Sequence, residues 1–243
     1  MNDVPVLLYK MTRRQFREGV DEGRIVGAIV PTGSTEQHNE HLEMVHDTAS
    51  AVHVAERVAE RLRPRVVVTT PLAIGISEHW MDHKGTLTTR PDIFVELLHD
   101  VCDSLRRGGI RNILIVNGHA GNTRPVRDRL DDLRRRLSGV NLDFCPYWEA
   151  YSKEDVAKTM ASGNCPGHAS EFETSFALAA FPSHVHWEGV DYDRAKLTIS
   201  DPEQVKRDRM FHEEAKLATA EKGREMIDIA VSWVADKMRG MIA

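Results

Sequence analysis

Three short clusters of acid and imidazole side chains stand out in this 243-residue chain, each beside an apolar run or a helix start. The first is Gly33-Ser34-Thr35-Glu36-Gln37-His38-Asn39-Glu40-His41, followed by Asp47. Carboxylate oxygen and neutral imidazole nitrogen are the usual ligands of zinc, manganese and iron. Glu36, His38 and Asp47 therefore suit neighbouring divalent ions. Alone, Asp47 reads as a helix N-cap; with Glu36 and His38 upstream it reads as a ligand, and both roles are compatible. The second cluster is Asn117-Gly118-His119-Ala120-Gly121-Asn122. Its paired glycines let the backbone turn tightly and approach a ligand, and backbone from Gly118 to Gly121 is placed to hold a carbonyl or hydroxyl. The third is Gly167-His168-Ala169-Ser170-Glu171-Phe172-Glu173-Thr174-Ser175. Here the bland alternative is strong, because Ser170 and Glu173 have the S-x-x-E spacing of a capping box. A fourth stretch, 77–87, carries His79, Trp80 and His83 and reads as a substrate wall, with Trp80 its aromatic face.

These clusters need elements to bring them together. Apolar runs at 24–30, 65–69, 110–117 and 140–147 read as strands. Apolar spacings of three and four give helices at 12–22, 48–62, 92–107 and 123–137. Helices at about 153–162 and 170–180 follow, and a long one covers about 221–239. Alternating strand and helix is the pattern of a parallel sheet covered on both faces. Strand runs without polar alternation agree, since such strands are buried on both sides. Sites in this architecture form beyond the carboxyl ends of the strands, where GSTEQH and NGHAGN fall.

Bulk composition narrows the function classes. Hydrophobic residues are 41%, charged residues 28%, and the net charge is -5, which disfavours nucleic acid as the main partner. No run of about 18 apolar residues exists to span a membrane. Cys102, Cys145 and Cys165 are odd in number and lack CxxC spacing, which fits a reduced cytoplasmic protein. The chain is long enough for a single large domain over 1–243.

Together, GSTEQH-x-x-HL with its downstream Asp, KGTLT, NGHAGN and GHASEFETS resemble the creatininase (creatinine amidohydrolase) family in order and spacing, over roughly residues 27–182. The resemblance implies a three-layer α/β sandwich around a mostly parallel sheet. It implies homo-oligomers, hexamers among them, and two divalent ions per subunit, with zinc, manganese or iron(II) as the candidates. Carried over by position, Glu36, His38, Asp47 and His119 match family metal ligands, with Asp47 the bridge. Glu173 matches the glutamate of the ETS motif, with Glu171 as the alternative. His168 matches a general acid/base, and Trp148 an aromatic residue that closes over the substrate. Two departures stand out. Gly121 replaces an acidic ligand, and Asn39-Glu40 replaces Gly-Pro. Glu43 and His46 add further polarity, and with Asn39 these changes are expected to line the mouth of the pocket.

The implied chemistry is hydrolysis by a metal-activated water. The leading substrate is small and polar, cyclic in the leading case, cleaved at an amide or other C–N bond, with Asn39 hydrogen bonding to it. Alternatives are ring-opening C–C hydrolysis of a cyclic polyol ketone (an inosose), deformylation, peptide trimming, and a non-catalytic protein that binds metal or a small molecule.

Overall fold

The computed structural model describes residues 5–188, 190 and 201–243. Four strands form one sheet: β1 Gly27–Thr32, β2 Val66–Val68, β3 Asn112–Asn117 and β4 Asn141–Pro146. Their spatial order is β2-β1-β3-β4, and every pairing is parallel. Ile29 lies opposite Val68 on one side and Leu114 on the other.

The helices are α1 Arg13–Asp21, α2 His46–Arg61, α3 Pro91–Arg107, α4 Ala120–Arg136, α5 Lys153–Thr159, α6 Glu171–Ala180, α7 Pro202–Ala215 and α8 Ala220–Met241. Side chains alternate across the strands, so each strand feeds two cores. Ile29, Leu114 and Val116 pack on Val54 and Val58 of α2, Phe172 and Phe176 of α6, and Met226 and Val234 of α8. Ala28, Val30, Ile113 and Ile115 pack on Phe94 and Leu98 of α3 and on Val126 and Leu133 of α4. The result is the expected three-layer α/β sandwich. Cutting a fully buried residue such as Leu114 back to alanine removes about 2–5 kcal/mol of stability.

Local signals set several boundaries. Thr12 and Gln15 form a reciprocal capping box at α1, and Pro91 opens α3. β1 runs to Thr32, past the expected end at residue 30, and so includes Pro31. The proline is tolerated because β2 has ended by then, on the side where the Pro31 carbonyl accepts from Leu72 N at 3.0 Å. α4 begins three residues earlier than the expected 123, so His119 becomes its N-cap. Periodicity did not reveal α7, because its sequence PEQVKRDRMFHEEA is mostly polar. Of the C-terminal stretch 191–243 that the motifs left unassigned, 191–200 lies outside the described residues. Among the described residues, no helix is long and apolar enough to cross a membrane.

Three helix N-termini matter for the site. Asp47 stands in the first turn of α2, His119 caps α4, and Glu173 stands in the first turn of α6. Helix N-termini carry partial positive charge and favour nearby carboxylates.

Candidate metal centre

Glu36 and His38 lie in the loop that leaves β1, and the start of α2 brings Asp47 back over them. Gly118 then lets the β3–α4 turn slide in close. A Cβ there would sit 2.1 Å from the carbonyl oxygen of Asp47, so any larger residue would push His119 away from Asp47. The Gly118 N–H donates to Thr32 O at 2.8 Å. This residue therefore supplies space, and its N–H is not the ligand donor that the sequence led us to expect.

Donor atoms converge in two sets that share Asp47. Glu36, Asp47 and His119 form one, and His38, Asp47 and Glu173 the other; the ligand atoms of each lie within 4.8 Å of one another. His119 Nδ1 is 2.9 Å from Asp47 Oδ2 and 3.3 Å from Glu36 Oε1. His38 Nε2 is 3.1 Å from Asp47 Oδ1 and 3.6 Å from Glu173 Oε2. All five side chains are buried.

The outer ring nitrogens explain how the inner ones are poised. His38 Nδ1 lies 3.1 Å from the Glu36 carbonyl oxygen, and His119 Nε2 lies 3.0 Å from the Ile76 carbonyl oxygen. A carbonyl only accepts, so both rings donate outward and turn their other nitrogen toward the carboxylates. Two acceptors about 3 Å apart repel unless a proton or a cation lies between them. Glu36 Oε2 is also buried and has no hydrogen-bond partner among the described residues. Three carboxylates and two inward imidazole nitrogens in a buried site are the donor set of hard-to-borderline divalent cations.

Proton affinities report the same pressure. Burial opposes charge on His38, but Asp47, Glu173 and Glu36 outweigh it and raise its pKa to about 10. Burial likewise opposes charge on His119, and Asp47 and Glu36 carry it well above the ordinary imidazole range. Burial pushes Glu173 up to about 8, aided by Asp47 and Glu36 against His38. Asp47 goes the other way: despite burial, His38 and His119 hold it below the ordinary carboxylate range. The cluster thus holds protons at the positions that cations would take.

A cavity of about 120 Å³ opens onto these atoms, walled by His79, Trp80, Trp148, Gly118, Pro166 and His168. Burial, then the neighbouring His38, keeps His168 well below the ordinary imidazole value, so the ring is neutral. Trp80 stacks on it at 4.4 Å between centroids, and its Nδ1 is 3.7 Å from Glu36 Oε1. Gln37, which the sequence reading passed over, sets the ring's orientation. The Asn39 N–H donates to Gln37 Oε1, so Gln37 Nε2 is the atom that donates to His168 Nε2, at 2.8 Å. Its flanking position between Glu36 and His38 was the available signal.

Several expectations are corrected. Asn39 does not line the cavity; it takes a left-handed φ of 54° and serves Gln37. Glu43 and His46 do not line the mouth either. Glu43 bonds His186 at 3.1 Å, and His46 is buried beside Ser50. Asp47 is not an N-cap, since α2 starts at His46 with Val45 at that position. The Ser170–Glu173 capping box does not form; Glu173 Oε2 instead accepts from Ala169 N at 2.5 Å. Glu171 turns away from the cluster, accepting from Ala161 N, Ser162 N and Lys222 Nζ.

The fold and site define a three-layer α/β scaffold with a carboxylate–imidazole centre suited to divalent cations. The family profile described as "Creatinine amidohydrolase" matches residues 9–238, and the chain belongs to the creatininase family of hydrolases. It is 26% identical to a creatinine amidohydrolase of Pseudomonas putida, over 96% of each chain. A 3-dehydro-scyllo-inosose hydrolase of Thermotoga maritima is 28% identical, over 75% of this chain and 58% of its own. A mycofactocin precursor peptide peptidase of Mycolicibacterium smegmatis is 37% identical, over 65% and 59%. A solved Zn-Zn form of a creatininase variant superposes with a TM-score of 0.79 at 25% identity, covering 98% of both chains.

Proposed function

We propose that this chain hydrolyses an amide or related C–N bond in a small polar substrate, cyclic in the leading case, with two divalent ions per subunit. One observation carries the reading: the two oxygens of Asp47 face two imidazoles that belong to separate donor sets. Glu36, Asp47 and His119 would hold one ion, and His38, Asp47 and Glu173 the other. Zinc and manganese lead as the metals, with iron(II) next. When bound, such ions supply Lewis acidity that acidifies water and polarises a carbonyl.

His168 handles the proton. With Gln37 donating to Nε2, the neutral ring carries its proton on Nδ1, the nitrogen facing Glu36. The neutral ring takes up a proton released by the attacking water and so becomes imidazolium, then delivers a proton to the leaving group and returns to the neutral form. Trp80 and Trp148 flank the substrate and keep solvent out. The cavity's small volume favours a compact molecule over a peptide chain. The Pseudomonas putida relative supports the C–N reading, and the Thermotoga maritima relative supports inosose ring opening as the second reading. The three free cysteines fit a reducing cytoplasm. A homo-oligomer, a hexamer in the leading case, is the expected assembly, and light scattering measures it.

Metal analysis of the purified protein, followed by a panel of lactams, cyclic ureas, inososes and short peptides, tests the proposal. Turnover of a lactam or cyclic urea, abolished by chelation and restored by Mn²⁺ or Zn²⁺, is the expected result. Full activity in metal-free protein overturns it, and turnover of inososes alone replaces the bond assignment.

A further inference from the structure

Helix α7 lies outside every motif, yet one of its faces meets both walls of the cavity. Asp208 is 4% exposed, and its Oδ2 lies 3.2 Å from His83 Nε2. His83 is tied to the Trp80 wall twice: its backbone N–H donates to Trp80 O at 3.0 Å, and its ring meets the Trp80 indole edge-on at 5.3 Å. One turn further along α7, Phe211 presents its ring edge-on to His168 at 6.1 Å. Another turn on, Glu214 Oε1 accepts from Asn164 Nδ2 at 2.6 Å, in the loop that leads to His168. Asp208, Phe211 and Glu214 recur at intervals of three, the spacing of one helix face.

From this geometry we infer that α7 is a clamp and that Asp208 and His83 are positioning residues for His168, acting through Trp80. The inference rests on the proposed role of His168 as the proton-transfer group. The Trp80 indole covers one face of His168, at 23° from parallel. What fixes that indole is therefore part of what fixes the imidazole. Trp80 stands on a single 3-10 turn, Glu78–Trp80, which is too short to hold a large ring rigidly by itself. The part-buried Asp208–His83 bond supplies a restraint from a distant part of the chain. Phe211 meets the His168 ring edge-on, and the Glu214–Asn164 bond ties α7 to the loop before His168, so α7 touches both walls.

The test needs no substrate. In zinc-loaded protein, the His168 ring protons are assigned by their loss in H168A. Stacking on Trp80 shifts them upfield in the wild type. In D208A and in H83F, which keeps an aromatic edge against Trp80 but loses the bond, that upfield shift is expected to collapse while zinc content stays unchanged. D208N, whose amide oxygen still accepts from His83, is expected to retain most of it. An unchanged His168 shift in folded, zinc-loaded D208A or H83F overturns the inference, as does loss of zinc in step with the shift, which marks a purely structural role. Should D208A fail to fold, the D208N and H83F pair decides. Full hydrolytic activity in H168A would sink the proposed role of His168 while leaving the spectra interpretable, so the two failures are separable.

Discussion

Two buried glutamates stand two residues apart at the start of α6 and live in opposite electrostatic worlds. Glu171 is fully buried, but two backbone N–H groups and Lys222 surround it. Its pKa falls below the ordinary carboxylate value, because these partners outweigh the burial that opposes them. Glu173 is nearly as buried; among the described residues it accepts from Ala169 N alone, and it otherwise faces Asp47, Glu36 and His38. Its pKa is pushed up to about 8. Burial alone therefore does not mark a functional acid. The informative feature is a buried acid that the protein leaves short of positive partners. Glu171 closes a structural account that pins the 160–170 loop, whereas Glu173 leaves its account open to a cation.

The comparison can be broken at several points, taken here from the largest expected effect downward. Asp47→Ala removes the carboxylate shared by both donor sets, so metal binding and hydrolysis should both vanish. Mass spectrometry of the native protein together with an activity assay checks this, and retention of two ions would end the bridging assignment. Chelation of the wild type should give the same loss, reversed by Mn²⁺ or Zn²⁺.

His168→Ala should lower the turnover rate by about 10²–10⁴-fold, the usual contribution of a positioned acid/base, while metal content stays at the wild-type level. Loss of metal along with activity would instead make His168 a ligand, as the third cluster of Glu36, His38 and His168 allows.

The two glutamates should then dissociate cleanly. Glu171→Gln leaves the partly exposed Lys222 ammonium facing a neutral side chain and should cost about 1–3 kcal/mol in urea unfolding, with metal affinity largely intact. The sign follows from the lowered pKa. Glu171 stabilises the fold above its unfolded pKa and loses that contribution as pH falls through its folded one, so the gap between wild type and variant should close in acid. Glu173→Gln should do the reverse, with metal content falling from about two ions per chain to about one and the melting temperature of metal-free protein not reduced. If both variants lose metal equally, the contrast is wrong.

The smallest effect is a proton count. At neutral pH, His38, with a pKa of about 10, and Glu173, with one of about 8, both hold protons in metal-free protein. Zinc loading should release them, and a pH indicator in weak buffer will read the release. The release should shrink as pH rises past about 8 and again toward about 10. A release that is absent at pH 7 would mean that the inward lone pairs are already free of protons.

The sequence by itself determined the scaffold and the inner cluster. Unbroken apolar runs such as ILIVN required strands buried on both faces, hence helices on both sides and a parallel sheet. The same periodicity put Glu36, His38 and His119 at the carboxyl ends of strands, because strand and helix periods are local properties of the chain. Only the tertiary structure decided between Glu171 and Glu173. Both satisfy the same local pattern, and Lys222, on α8, settles the matter from 51 residues away. The same holds for Gln37, fixed on His168 across 131 residues, and for α7, whose polar sequence carries no periodic signal. Its Asp208 reaches the cavity wall through His83 across 125 residues. Contacts of that range depend on where helices cross, and the identity of neighbouring residues in the chain does not encode it.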